Sequence, residues 1–250
     1  INSTEKDYMK KNKFTIVCTD EGIYHNKELL PQPAKNYTPR WYENIKVKYD
    51  IDEKRPILSK ILKPKTIRQC PSFMEIYEEG FVIPAPTDYY LSLENDVFEW
   101  KTPINYKTVY DTGEVRFHGN IQFVDHLPNQ ANIKGVFKIV LPYVVFAPKG
   151  YYLKLLPTPY EFNQDFHANY GIQNLDNIFE LNVQINFTSD KSEILIKRGQ
   201  PLALVIPYKK EKIDIEYKLL EEEKKYQKII AKDKFNLINV FNNRYHKSKL

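Results

Sequence analysis

Pro148-Lys149-Gly150-Tyr151-Tyr152-Leu153-Lys154-Leu155-Leu156-Pro157-Thr158-Pro159 opens the stretch whose reading decides the fold. It continues through Gly171-Ile172-Gln173-Asn174-Leu175-Asp176 and Glu180-Leu181-Asn182-Val183-Gln184-Ile185-Asn186-Phe187. It ends Ile194-Leu195-Ile196-Lys197-Arg198-Gly199-Gln200-Pro201-Leu202-Ala203-Leu204-Val205-Ile206-Pro207-Tyr208. Several of these runs alternate apolar and polar residues at period two, with Gly, Pro, Asn or Asp between them. Alternate side chains of a strand point to opposite faces, so such runs predict short antiparallel strands closing a barrel or sandwich.

Upstream, Phe137–Leu141 and Val144–Phe146 read as two strand segments separated at Pro142. Tyr89–Leu93 and Val97–Trp100 predict a hairpin around Glu94-Asn95-Asp96, and Phe14–Cys18, Phe81–Pro86 and Val115–Phe117 predict further strands. Thr66–Gly80 reads as a short helix with Pro71 near its start, Phe73, Ile76 and Tyr77 on one face, and a glycine stop. Thr38 and Pro39 suit the N-cap and first position of a one-turn helix reaching Asn44, which makes Trp41 an aromatic anchor. Downstream, Ile213–Tyr217 alternates like one last strand. Leu219–Phe241 carries Leu219, Tyr226, Ile229, Ile230 and Leu237 near helical spacing on a highly charged background. Residues 1–12 read as a polar arm and Arg244–Leu250 as a short basic tail.

Composition narrows the classes. Of 250 residues, 42% are hydrophobic, enough for a real core, and 16 Pro against 8 Gly point to ordered loops. The net charge of +5 arises from 37 basic and 32 acidic side chains with interspersed signs, unlike the basic block of a dedicated nucleic-acid binder. No apolar run approaches the ~20 residues that span a bilayer. Cys18 and Cys70 match no zinc spacing and read as two buried thiols in a reducing compartment.

Gly171–Asp176 and Ile194–Val205 resemble the trimeric dUTPase and dCTP-deaminase superfamily, the β-clip barrel. There a turn of the form G-x-V/I-D-x-D-Y-x-G carries the aspartate that activates water, and a later strand reads F-x-I-x-x-G-x-x-I-A-Q-L-V. The second element matches well. In the first, Asn174 aligns with the catalytic aspartate, and an amide cannot take a proton from water near neutral pH. Pro157-Thr158-Pro159 stands where the family has a P-R-S-G phosphate loop but lacks its arginine, serine and glycine. A second resemblance rests on Ala34–Tyr42, Thr66–Phe73, Gly80–Asp88, Pro148–Tyr151 and Gly199–Lys210. This order of motifs looks like an uncharacterised family of tailed phages, marine ones especially, and some bacteria. It implies a viral or virus-derived protein, placed in the host cytoplasm or the virion, and brings no activity with it.

Other chemistry is sparse. His118 and His126, with Asp125 beside the latter, could bring two imidazoles together but find no third metal ligand at a convincing spacing, and His167 near Asp176 reads as a surface or loop histidine. No G-x-S-x-G, Walker loop or serine-triad order is present. The expectation is a mainly β (α+β) protein: an irregular N-terminal region with extended Pro-rich segments over 1–134, a β-clip-like barrel over 135–212, and a final strand, charged amphipathic helix and basic tail over 213–250. It is expected to act as a structural, assembly or binding protein without catalysis, through protein partners or self-association as a homotrimer, with no metal and no cofactor. The alternative is a nucleotide pyrophosphate hydrolase of the dUTPase type, with Asp176 as base and Mg²⁺ as cofactor. A third reading is a nucleic-acid-associated accessory protein. Candidate ligand-binding residues are Lys149, Tyr151, Asn174, Asp176 and Arg198.

Overall fold

A computed structural model describes residues 13–47, 66–95, 97–128, 131–220 and 223–232. The elements, in chain order, begin with β1 (Thr15–Cys18), α1 (Glu21–Tyr24), β2 (Gln32–Pro33), α2 (Arg40–Glu43) and α3 (Pro71–Glu78). Four strands follow: β3 (Phe81–Pro84), β4 (Tyr89–Glu94), β5 (Val97–Lys101) and β6 (Val115–His118). Then come β7 (Gly135–Phe146), β8 (Tyr151–Leu156), β9 (Phe166–Ala168) and β10 (Gly171–Asn174). The last three are β11 (Glu180–Phe187), β12 (Glu193–Ile196) and β13 (Pro201–Lys209). The fold is mainly β with few helices, and each strand pairing is antiparallel.

Among the described residues, three sheets result. The first runs β1-β7-β11-β9 with β6 also on β7, the second β10-β8-β13-β3-β2, and the third β12-β4-β5. Strands from before residue 134 therefore pair directly with those after it, as β3 does with β13 and β1 with β7. All three sheets contribute to one core, including Phe137, Ile139, Leu153, Leu181, Val205 and Tyr89. Each such side chain contributes about 1.5–3 kcal/mol by leaving water. The unbroken apolar run Leu202–Val205 has its own cause. Leu204 and Val82 point away from that core and are covered by Ala34 and Ile76, so the second sheet is buried on both faces there.

Several expectations need correction. β7 runs straight through Pro142 as one twelve-residue strand. β6 pairs with residues 136–139 and β1 with 143–146, so the missing N–H of Pro142 falls in the gap between two neighbours, while its carbonyl accepts from Thr19 N–H at 2.9 Å. The helix at Trp41 starts at Arg40, because Pro39 is extended (ψ 138°) and caps it with its carbonyl. The helix over 66–80 breaks at Cys70 into a 3₁₀ turn, Ile67–Gln69, and α3. Cys18 and Cys70 are free thiols but only partly buried, and burial raises the Cys18 pKa.

Residues 1–210 form one compact unit and 211–250 another. In the second, 213–217 form no strand: alternation alone does not make one where no backbone among the described residues supplies a ladder. Residues 224–232 are helical, within the charged helix expected over 219–241. The rest of that helix, the polar arm and the basic tail lie outside the described residues.

Candidate functional site

Four of the five candidate residues come together at one end of the second sheet. The β7–β8 turn carries Lys149, Gly150 and Tyr151, and the β10–β11 turn carries Asn174 and Asp176. Gly150, at φ +83°, donates its N–H to Asp176 Oδ1 at 3.1 Å. Asp176 in turn donates its own N–H to Asn174 Oδ1 at 3.0 Å, and Ile178 N–H reaches the Asn174 carbonyl at 3.0 Å. Both polar side chains thus shape turns, an ordinary use of Asn and Asp. Tyr151 packs edge-on against Phe14 with ring centroids 5.0 Å apart.

Arg198 is not among them. It lies on the β12–β13 turn, where its N–H donates to Asp88 Oδ1 at 2.7 Å and Gly199 N–H to the Ala85 carbonyl at 2.8 Å. The register puts Tyr151 opposite Lys209, at the far end of the nine-residue β13. At ~3.3 Å per residue the two turns are separated by on the order of 27 Å along the strand. This separation was not legible in sequence, because period-two patterns mark strands without saying which ends meet.

A cavity of about 210 Å³ lies beside the Arg198 turn, under the loop 157–165. Thr158, Glu161, Phe162, Phe166, His167 and Gln200 are among its walls. The loop is pinned from outside by helices α2 and α3. Trp41 Nε1–H donates to the Tyr160 carbonyl at 3.2 Å, and Tyr77 OH donates to the Pro159 carbonyl at 2.7 Å. Phe73 stacks on Tyr160 at 4.1 Å and on Tyr42 at 4.3 Å, while Trp41 and Phe162 rings lie 5.8 Å apart. Trp41 is therefore a packing residue with one exposed side.

Two bulky residues in this loop hold left-handed backbone, Tyr160 at φ +57° and Phe162 at φ +50°. Such conformations cost about 1–3 kcal/mol each and concentrate at binding sites. Here the aromatic stack on Tyr160 holds the loop against that cost. Phe162 is 73% exposed, so little of its ring is covered in return.

The polar groups around the cavity are only partly satisfied. Thr158 Oγ1 is buried with no partner among the described residues. Glu161 stands at the rim, and nearby protein displaces enough water to raise its carboxyl pKa. Burial lowers the pKa of His167, which favours the neutral ring. Asn186 Nδ2 lies 3.1 Å from His167 Nε2, and the Asn186 Oδ1 is buried without a partner among the described residues.

His118 and His126 are occupied locally, by Gln122 Oε1 at 3.3 Å and the Ile121 carbonyl at 2.9 Å. Among the described residues, no cluster of three His, Cys, Asp or Glu suits a metal ion. No helix among them is long and apolar enough to cross a membrane. Tyr160, Glu161 and Phe162 escaped the sequence reading because no local pattern announces an aromatic residue in left-handed backbone. The histidine and the Pro157-Thr158-Pro159 run were visible, but not that they share a cavity.

No protein-family model matches this chain, and no curated protein matches its sequence. Among solved structures, it is similar to a native EIAV dUTPase at 13% identity, with a TM-score of 0.32, over 57% of this chain and 84% of that one. Likeness at that level assigns no activity.

Proposed function

We propose that the chain is a non-catalytic binding or assembly module that works through protein partners or self-association. The observation that carries this reading is the role of Asp176: its Oδ1 accepts the Gly150 N–H and ties two turns together. Asn174, where a water-activating aspartate would stand, holds that same turn through its side chain. A general base needs a carboxylate free to reach water on a bound substrate. The proposal extends to a viral or virus-derived protein in the host cytoplasm or virion, with a homotrimer as its self-associated form.

The test is light scattering after size exclusion, with a thermal-shift panel of dUTP, dCTP and Mg²⁺ on the same sample. A defined assembly unmoved by nucleotide is expected. A ligand at a hundred times its Kd would add about 2.7 kcal/mol and be plainly visible. A nucleotide-stabilised trimer would move the assignment to pyrophosphate hydrolysis. Asp176→Asn, which keeps an oxygen for Gly150, is expected to lower stability by less than about 1 kcal/mol. Chemical denaturation of the two proteins measures this, and any loss of dUTP or dCTP turnover in the variant would count against the proposal.

A further inference from the structure

We propose that the cavity under the 157–165 loop binds an organic cation, an alkylammonium or guanidinium group, paired with Glu161 and lying against Phe162. The site uses none of the residues on which the assembly reading rests.

None of the cavity's walls is a lysine or an arginine, and its ionisable groups are Glu161 and His167. Burial lowers the His167 pKa and favours its neutral ring. The one group that carries formal charge at the mouth is therefore an acid. Glu161 forms no hydrogen bond or ion pair among the described residues. An anionic or phosphorylated ligand meets no counter-charge in these walls, whereas a cation meets a carboxylate in partly desolvated surroundings, where charge pairing is stronger than in water.

The aromatic rings add a second attraction. Phe162 is exposed beside the cavity, Phe166 is buried within its wall, and a ring face attracts a cation within about 6 Å. The left-handed backbone at Phe162 keeps that ring at the mouth, although its exposed position gains little from packing. Thr158, another wall residue, has a buried hydroxyl without a partner among the described residues. At about 210 Å³ the space is below the 300–1,000 Å³ usual for drug-sized ligands, so it fits one functional group and its first methylenes. That chemistry is supplied either by a free amine or guanidine, or by a lysine or arginine side chain of a protein partner.

Heteronuclear NMR titration of the full chain with N-acetyl-arginine amide and with n-butylammonium tests the site, with N-acetyl-glutamate amide as the anionic control. Both cations are expected to shift amide resonances of residues 157–168, and the control is not. Glu161→Gln should weaken N-acetyl-arginine amide by about tenfold or more, while circular dichroism shows an intact fold. Phe162→Gly relieves the left-handed backbone, so it should hold or raise the melting temperature while weakening the cations about threefold or more. A capped Gly-Arg-Gly peptide separates the sources. Tighter binding than the amide assigns the site to a partner's side chain, and equal or weaker binding assigns it to a free small cation. Absence of shifts in 157–168 with both cations, or undiminished binding by Glu161→Gln, overturns the proposal.

Discussion

Gly80→Ala is expected to cost roughly 3–5 kcal/mol of stability, among the largest effects of any single methyl group in this chain. Gly80 lies between α3 and β3 at φ +70°, a conformation costly for a residue with a Cβ. The larger part is steric. A Cβ there would stand 2.1 Å from the Val205 carbonyl oxygen and 3.0 Å from its carbon, both backbone atoms of β13. Neither can swing aside as a side chain does, so β3 must separate from β13 or the helix must lift. Gly113→Ala is the built-in control. It has the same kind of backbone, φ +79°, but nothing within 4 Å of the added atom, so only the conformational cost of about 1–2 kcal/mol applies. Thermal unfolding by circular dichroism measures both. At about 2–4 °C per kcal/mol for a domain this size, Gly80→Ala should melt at least about 6 °C below the parent and well below Gly113→Ala. Equal melting points would show that the close approach does not exist.

Tyr106→Phe is the second large effect, roughly 2–4 kcal/mol, and its size follows from the direction of a hydrogen-bond chain. Tyr106 OH lies 2.6 Å from the Val140 carbonyl, which can only accept, so Tyr106 donates there. The contact of 2.7 Å between the Tyr89 and Tyr106 hydroxyls must then run from Tyr89 to Tyr106. Burial raises the pKa of both phenols, Tyr89 well above its ordinary value, so neither ionises at neutral pH and the donation order is kept. Removing the Tyr106 hydroxyl strips a partner from two buried groups at once, the Tyr89 O–H and the Val140 carbonyl. Tyr89→Phe removes only the first donor of the chain and leaves no donor stranded, so about 1 kcal/mol is expected. Urea denaturation of the two single variants compares them directly. A Tyr89→Phe loss equal to or larger than that of Tyr106→Phe would reverse the assigned order.

Both predictions bear on the same frame that positions the candidate site. Gly80 holds β3 against β13, whose first residues Pro201 and Leu202 form one wall of the cavity under the 157–165 loop. Tyr106 ties the connection after β5 to the central strand β7. Variants chosen to probe binding therefore belong on the loop surface, at Glu161 and Phe162, where the frame is untouched.

Much of the strand pattern was legible because it is local. Alternation in Glu180–Phe187, the apolar run in Leu202–Val205 and the glycine turn at Gly199 each constrain their own few residues, and β11 and β13 form there. The helix at Pro71–Glu78 was legible for the same reason: proline at its first position, buried Phe73 and Tyr77 four residues apart, then Gly80. Where a reading depended on a neighbour, it failed. Pro142 looked like a break because a proline inside a strand removes a ladder hydrogen bond, yet here no bond was on offer at that position. Ile213–Tyr217 looked like a strand because it alternates, but no partner backbone among the described residues completes it.

The candidate site divides the same way. Sequence by itself determined the mainly β class, the Gly, Pro, Asn and Asp punctuation between its strands, and the unfitness of Asn174 as a base, since these follow from residue type and period. Tertiary structure alone decided that the turns at Lys149–Tyr151 and Asn174–Asp176 meet through the Gly150–Asp176 hydrogen bond, that Arg198 stands a strand's length away, and that Glu161 and Phe162 face a cavity with Thr158 and His167. The reason is physical. Alternation and turn chemistry act over a few residues of chain, while the register that brings distant turns together is set by packing of the sheets on one shared core.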